Sequence, residues 1–84
     1  METTREQALL GWCVDFVADL LERRPDEIDV NARFSRIGLD SAMAVQLVVA
    51  LEEKLDVALA PDIIQDRPTL KGLVAHLVAD TRRG

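Results

Sequence analysis

A chain of 84 residues leaves room for one domain built on one modest core. Apolar residues make up 49% of it, yet Trp12, Phe16 and Phe34 are the whole aromatic complement, so the core is aliphatic and suits packed helices better than a sheet. A net charge of −5, with basic residues scattered rather than clustered, excludes a binder of nucleic-acid backbones and points to basic partner surfaces.

Residues 26–66 hold nine acidic side chains against Arg33, Arg36 and Lys54, whereas residues 67–84 set Arg67, Lys71, Arg82 and Arg83 against Asp80. The acidic middle is the expected docking region, with an ordinary solvated surface as the alternative. Cys13 is the only cysteine, so no internal disulfide and no cysteine-based zinc site can form. No run reaches the roughly 18 apolar residues that span a membrane, and Glu2 and Glu6 do not suit a secretory signal. The expectation is a cytoplasmic protein with neither membrane nor nucleic-acid contacts.

Thr3 to Glu6 and Thr4 to Gln7 form two overlapping capping boxes, which predict a first helix over about residues 4–23. Leu9, Trp12, Cys13, Phe16, Val17, Leu20 and Leu21 recur every three or four residues on one face, and Asp15, Asp19 and Glu22 occupy the other. Cys13 falls on the apolar face and reads as a small core residue rather than a nucleophile. Arg23 and Arg24 suit the C-terminal dipole, and Pro25 is expected to stop the helix.

The connection over residues 25–39 lies at the upper edge of ordinary loop lengths, which predicts a functional or well-pinned segment. Ile28, Val30, Phe34, Ile37 and Leu39 can tie it to the core, with Phe34 as a plug under the helices. Asp26, Asp29 and Asn31 supply turn chemistry, and Gly38 a backbone angle that side chains disfavour.

A second helix is predicted over 41–55. Ala44, Leu47, Val48, Leu51 and Leu55 make its inward stripe, but the run from Ala42 to Leu51 is too apolar for one buried face. Val45 is expected inside, with Ala42 and Val49 facing out as part of a partner-binding surface. A short helix over 62–66 follows, led by Pro61 and Asp62, and then a last helix over about 70–80 capped by Thr69. Leu70, Leu73, Val74, Leu77 and Val78 fit the helical template without a miss; His76 lies off the stripe and is expected at the surface. Residues 81–84 read as a frayed tail or linker remnant. The fold class is all-α: a small four-helix bundle of three long helices and one short one, forming a single domain over 1–84.

Chemistry concentrates at Gly38-Leu39-Asp40-Ser41. A serine hydroxyl at a helix start, where backbone N–H groups are unpaired and the dipole is positive, suits a phosphate ester. Asp and Ser are also favoured caps, and from Asp40-Ser41 alone capping is the stronger reading; the surroundings change that balance. With Val45, Leu47 and Leu51-Glu52-Glu53 downstream, and Arg67-Pro68-Thr69-Leu70 at the last helix, the chain resembles acyl carrier proteins of the polyketide-synthase type from about Phe16 to Leu77.

The resemblance implies a 4′-phosphopantetheine arm, taken from coenzyme A and attached to Ser41 with Asp40 as the flanking motif residue. It implies a non-catalytic monomer that holds acyl groups as thioesters for polyketide or related secondary-metabolite biosynthesis. Its partners would be a phosphopantetheinyl transferase, an acyl-loading enzyme (acyltransferase or acyl-AMP ligase) and a ketosynthase or other acyl-processing enzyme. Asp40, Gln46, Glu52 and Glu53 are expected as polar rim contacts around Ala42, Met43 and Val49. Two residues depart from the family's commonest pattern: Ala42 stands where Leu is usual after Asp-Ser, and Gln46 replaces an acid. Gly-Leu-Asp-Ser-Ala also looks like carriers served by fatty acyl-AMP ligases, and Gly-Leu-Asp leans away from peptidyl carriers.

The alternatives are a cofactor-free helical adaptor in which Ser41 only caps, a regulatory domain phosphorylated at Ser41, and a peptidyl carrier domain of a nonribosomal peptide synthetase. Met1 followed by a self-capped helix favours a free-standing protein over a domain excised from a synthase. No Ser, His and Asp set converges in the sequence, and the lone His76 has no partner of ligand type at ligand spacing.

Overall fold

A computed structural model describes residues 4–60 and 62–81. In order come α1 (Arg5–Leu21), a 3₁₀ turn (Pro25–Glu27), α2 (Phe34–Ile37), α3 (Ser41–Leu55), α4 (Ile63–Asp66) and α5 (Leu70–Thr81). The fold is the expected all-α bundle, with a short helix and a turn added inside the long connection. The Thr3 capping box, the role of Pro61 and the tail beyond residue 81 lie outside the described residues.

Thr4 caps α1 reciprocally: its hydroxyl accepts from the Gln7 N–H at 3.0 Å, and the Gln7 side chain accepts from the Thr4 N–H at 3.1 Å. The far end of α1 corrects the sequence reading. Glu22 takes a left-handed conformation (φ 55), and the Arg23 N–H bonds the Ala18 carbonyl at 2.9 Å, so the helix closes before Arg23, Arg24 and Pro25. α1 packs chiefly against α5 and also touches the 3₁₀ turn and α3. Leu9, Cys13, Val17 and Ala18 from α1 meet Leu47 and Leu51 from α3 and Leu70, Leu73, Val74 and Leu77 from α5 in one core. Trp12 stacks on Phe16 at 5.4 Å between ring centroids, and the Lys54 ammonium sits 5.1 Å from the Trp12 ring, joining α1 to α3 by a cation–π contact.

The connection is pinned rather than loose. Phe34 donates its N–H to the Pro68 carbonyl at 2.8 Å, Lys71 donates to the Val30 carbonyl at 3.0 Å, and Arg33 and Thr69 form an isolated bridge. Phe34 is buried as the plug expected, and with Ile37 it forms the inner edge of α2. Gly38 ends that helix at φ 95, with the Leu39 N–H bonded to the Phe34 carbonyl at 2.9 Å. Its conformational freedom therefore serves to close one helix immediately before the next. Thr69 caps α5, its hydroxyl accepting from the Gly72 N–H at 3.0 Å. His76 is half-buried rather than at the surface, beside Asp66, Arg67 and the segment 58–60.

Candidate functional site

Everything at the N-terminus of α3 follows from which residue caps it. Asp40 is extended (φ −79, ψ 178), and its Oδ1 accepts from the Met43 N–H at 2.9 Å. The first intrahelical bond runs from the Ala44 N–H to the Asp40 carbonyl, also at 2.9 Å. Capping therefore belongs to Asp40, and Ser41 is the first helical residue, exposed, its hydroxyl free of hydrogen bonds among the described residues. The helix is therefore capped by Asp40 and not by Ser41. The N–H groups of Ser41 and Ala42 lie ahead of the first intrahelical bond, at the positive end of the dipole.

Ser41 stands where two depressions meet. On one side is an open cleft of about 460 Å³ walled by Val45, Val48, Val49, Leu59 and Ile64, with Glu52 and Gln65 at its margins. On the other is a shallower hollow of about 210 Å³ lined by Arg33, Phe34, Asp40 and Pro68 among others. Ala44, Ile64 and Gln65 belong to both.

The expected partner residues are distributed unevenly. Ala42, Gln46 and Val49 are exposed along α3, Met43 is half-buried against the core, and Glu53 is exposed near the helix end. Val45 corrects the sequence reading: it is 60% exposed, and with Val49 it is one of two large apolar side chains left in solvent among the described residues. The inward stripe is already filled by Ala44, Leu47, Val48 and Leu51, which turns Val45 outward. Glu52 is half-buried, and its Oε2 accepts from the Leu59 N–H at 2.9 Å, an engagement that no local pattern announces.

Cys13 lies in the core with no exposed surface, and burial pushes its thiol up to about 12, countered in part by Lys54. It is a packing residue, as expected. Among the described residues no cluster of three potential ligands could hold a metal, and no helix is long and apolar enough to cross a membrane.

Residues 13–77 match the protein family described as "Phosphopantetheine attachment site". A phenolphthiocerol synthesis polyketide synthase of Mycobacterium marinum is 38% identical over 74 residues, covering 87% of this chain and 4% of that protein. An acyl carrier protein of Teredinibacter turnerae is 32% identical over 68 residues, covering 81% of this chain and 78% of its own. The chain thus spans a few hundredths of the length of the large synthases it matches but most of a small carrier. Among solved structures, a free-standing peptidyl carrier protein of Acinetobacter baumannii superposes with a TM-score of 0.85 at 28% identity, covering 90% of this chain and 95% of that one. With the family match spanning most of its residues and a small carrier aligned over most of that protein's length, the chain belongs to the acyl carrier protein family, whose prosthetic group is a covalently attached 4′-phosphopantetheine.

Proposed function

We propose that Ser41 is the attachment residue, and that the chain holds acyl intermediates as thioesters for enzymes of polyketide or related secondary-metabolite biosynthesis. The observation that carries this reading is the exposed Ser41 hydroxyl, left free because Asp40 does the capping. The surroundings fit the prosthetic group: a phosphodiester at this oxygen meets the helix dipole, and the Asp40 carboxylate nearby is turned toward the Met43 N–H. When attached, the group supplies a terminal thiol for the acyl cargo, a role closed to the buried Cys13. The chain's own residues position that arm, offer an apolar cleft beside it, and present a face that partners can grip.

That face runs along α3 over Ala42, Val45, Gln46 and Val49, with Met43 at its edge and Asp40, Glu52 and Glu53 at its polar margin. Its partners are a phosphopantetheinyl transferase, an acyltransferase or acyl-AMP ligase that loads the cargo, and a ketosynthase or another acyl-processing enzyme. Brief docking of this kind suits a small apolar patch, and tethering raises the cargo's effective concentration at each docked enzyme. The protein acts as a monomeric, non-catalytic domain over 1–84 in the cytoplasm. The cofactor-free adaptor is set aside by the family match. The peptidyl alternative shares the fold, but the similarity in sequence to polyketide synthases and to an acyl carrier protein favours acyl cargo.

Intact mass after incubation with a phosphopantetheinyl transferase and coenzyme A tests the assignment. One phosphopantetheinyl group is expected on the wild-type chain and none on a folded Ser41→Ala variant. A folded wild-type chain that resists loading, or a variant that still loads, overturns it.

A further inference from the structure

The segment between α3 and α4 forms one wall of the cleft beside Ser41, and one residue of α3 holds it twice. The carbonyl oxygen of Glu52 accepts from the N–H of Asp56, the left-handed cap of α3 (φ 54), and from the Val57 N–H at 3.2 Å. Its side chain then reaches seven residues forward, and Oε2 accepts from the Leu59 N–H at 2.9 Å in half-buried surroundings. The far end of the segment is tied to α4 instead, through the Ile63 N–H and the Ala60 carbonyl at 3.1 Å. Glu52 and Leu59 both line the cleft, Glu52 from the same helix as Val45 and Val49 and Leu59 from the segment that follows it. A hydrogen bond to an ionised acceptor is stronger than a neutral one, and partial burial limits competition from water.

We propose that Glu52 is a specificity-determining clasp: by holding the Leu59 backbone against α3, it sets the width of the apolar cleft and thereby limits the length of acyl chain that the cleft admits. This rests on Ser41 being the attachment residue. The clasp lies at the margin of the bundle, while the contacts that hold α3 in place are made by Leu47 and Leu51, so releasing it moves the wall without dismantling the core.

The test compares the wild-type chain with Glu52→Gln, which keeps an acceptor oxygen, and Glu52→Ala, which does not. Each is loaded by a phosphopantetheinyl transferase from hexanoyl-, decanoyl- and tetradecanoyl-coenzyme A, with loading scored by intact mass. Two further readouts are hydrogen exchange at the Leu59 amide and the rate at which hydroxylamine cleaves the thioester. Glu52→Ala is expected to lose roughly tenfold or more of the Leu59 protection, and to extend shielding from hydroxylamine to longer chains. Glu52→Gln is expected to keep the wild-type dependence on chain length. Unchanged Leu59 exchange in Glu52→Ala shows that there is no clasp, and an unchanged chain-length dependence shows that the clasp does not govern the cleft; either result overturns the proposal. Failure of all three folded chains to load overturns the attachment reading and the length limit with it, and is told apart by mass alone.

Discussion

α1 and α3 are helices of similar length that bury one face each in the same core, and they differ on the other. The outer face of α1 carries the exposed Asp15 and Asp19, with Glu22 at its cap, an ordinary solvated surface. From Ser41 to Leu51, α3 contains no charged residue, and its outer face exposes Val45 and Val49. Burial in this bundle does not require those valines outside. Two valines left in solvent beside Ser41 are what the proposed partner face needs, whereas the acids along α1 suit water alone.

The sharpest way to separate the inner and outer faces of α3 is by stability. Leu47→Ala, at a fully buried position, is expected to cost about 3–5 kcal/mol in denaturant unfolding. The same measurement on Val45→Ala should stay within about 0.5 kcal/mol, as for surface sites generally. A large loss at Val45 would mean that its side chain is part of the core after all.

The buried side of α1 is probed by pH. Because the Cys13 thiol is raised in the folded state to about 12 from its ordinary value of 9.0, the folded chain retains a proton that the unfolded chain releases. This stabilisation is complete below pH 9 and is lost as pH rises toward 12, at about 1.4 kcal/mol per pH unit at most. Chemical unfolding across that range should show a steeper decline for the wild-type chain than for Cys13→Ala, and native Cys13 should resist thiol reagents at neutral pH. Equal slopes would place the thiol in water.

The outer faces themselves are compared by docking. Val45→Asp is expected to weaken binding to a phosphopantetheinyl transferase about tenfold or more, roughly 1.4 kcal/mol, whereas Asp15→Asn leaves it unchanged. Titration calorimetry should find weaker binding at high salt, since the exposed acids Asp40 and Glu53 flank the apolar stretch of α3. The smallest effect concerns Gly11, exposed on α1, where a methyl group in place of hydrogen would meet nothing within 4 Å. Gly11→Ala should stabilise the fold by about 0.5–1 kcal/mol without altering loading, as thermal unfolding and intact mass would show.

Much of this organisation is legible in the chain itself. The long helices follow from apolar residues three and four apart and from side chains able to cap, as at Thr4 and Thr69, because those signals act within one or two turns of backbone. The placement of Cys13 on an apolar face, of Gly38 at a left-handed angle and of Ser41 at a helix start is local in the same sense. The short α2 left only a faint trace, Phe34 and Ile37 three apart before a glycine, too brief for a period to emerge.

What the tertiary structure alone decided depends on partners distant in sequence. A run such as 42–51, apolar except at Gln46, has little to break the tie between rotations about the helix axis, so packing into the core chose to leave Val45 outside. The long connection is ordered by bonds from Phe34 to Pro68 and from Lys71 to Val30, and no local pattern specifies them. Glu52 likewise reads as one more acid at a helix end until Leu59 is folded back beside it. Local propensity thus determined where the helices lie and that Ser41 begins one of them, while long-range contacts decided which faces remain exposed.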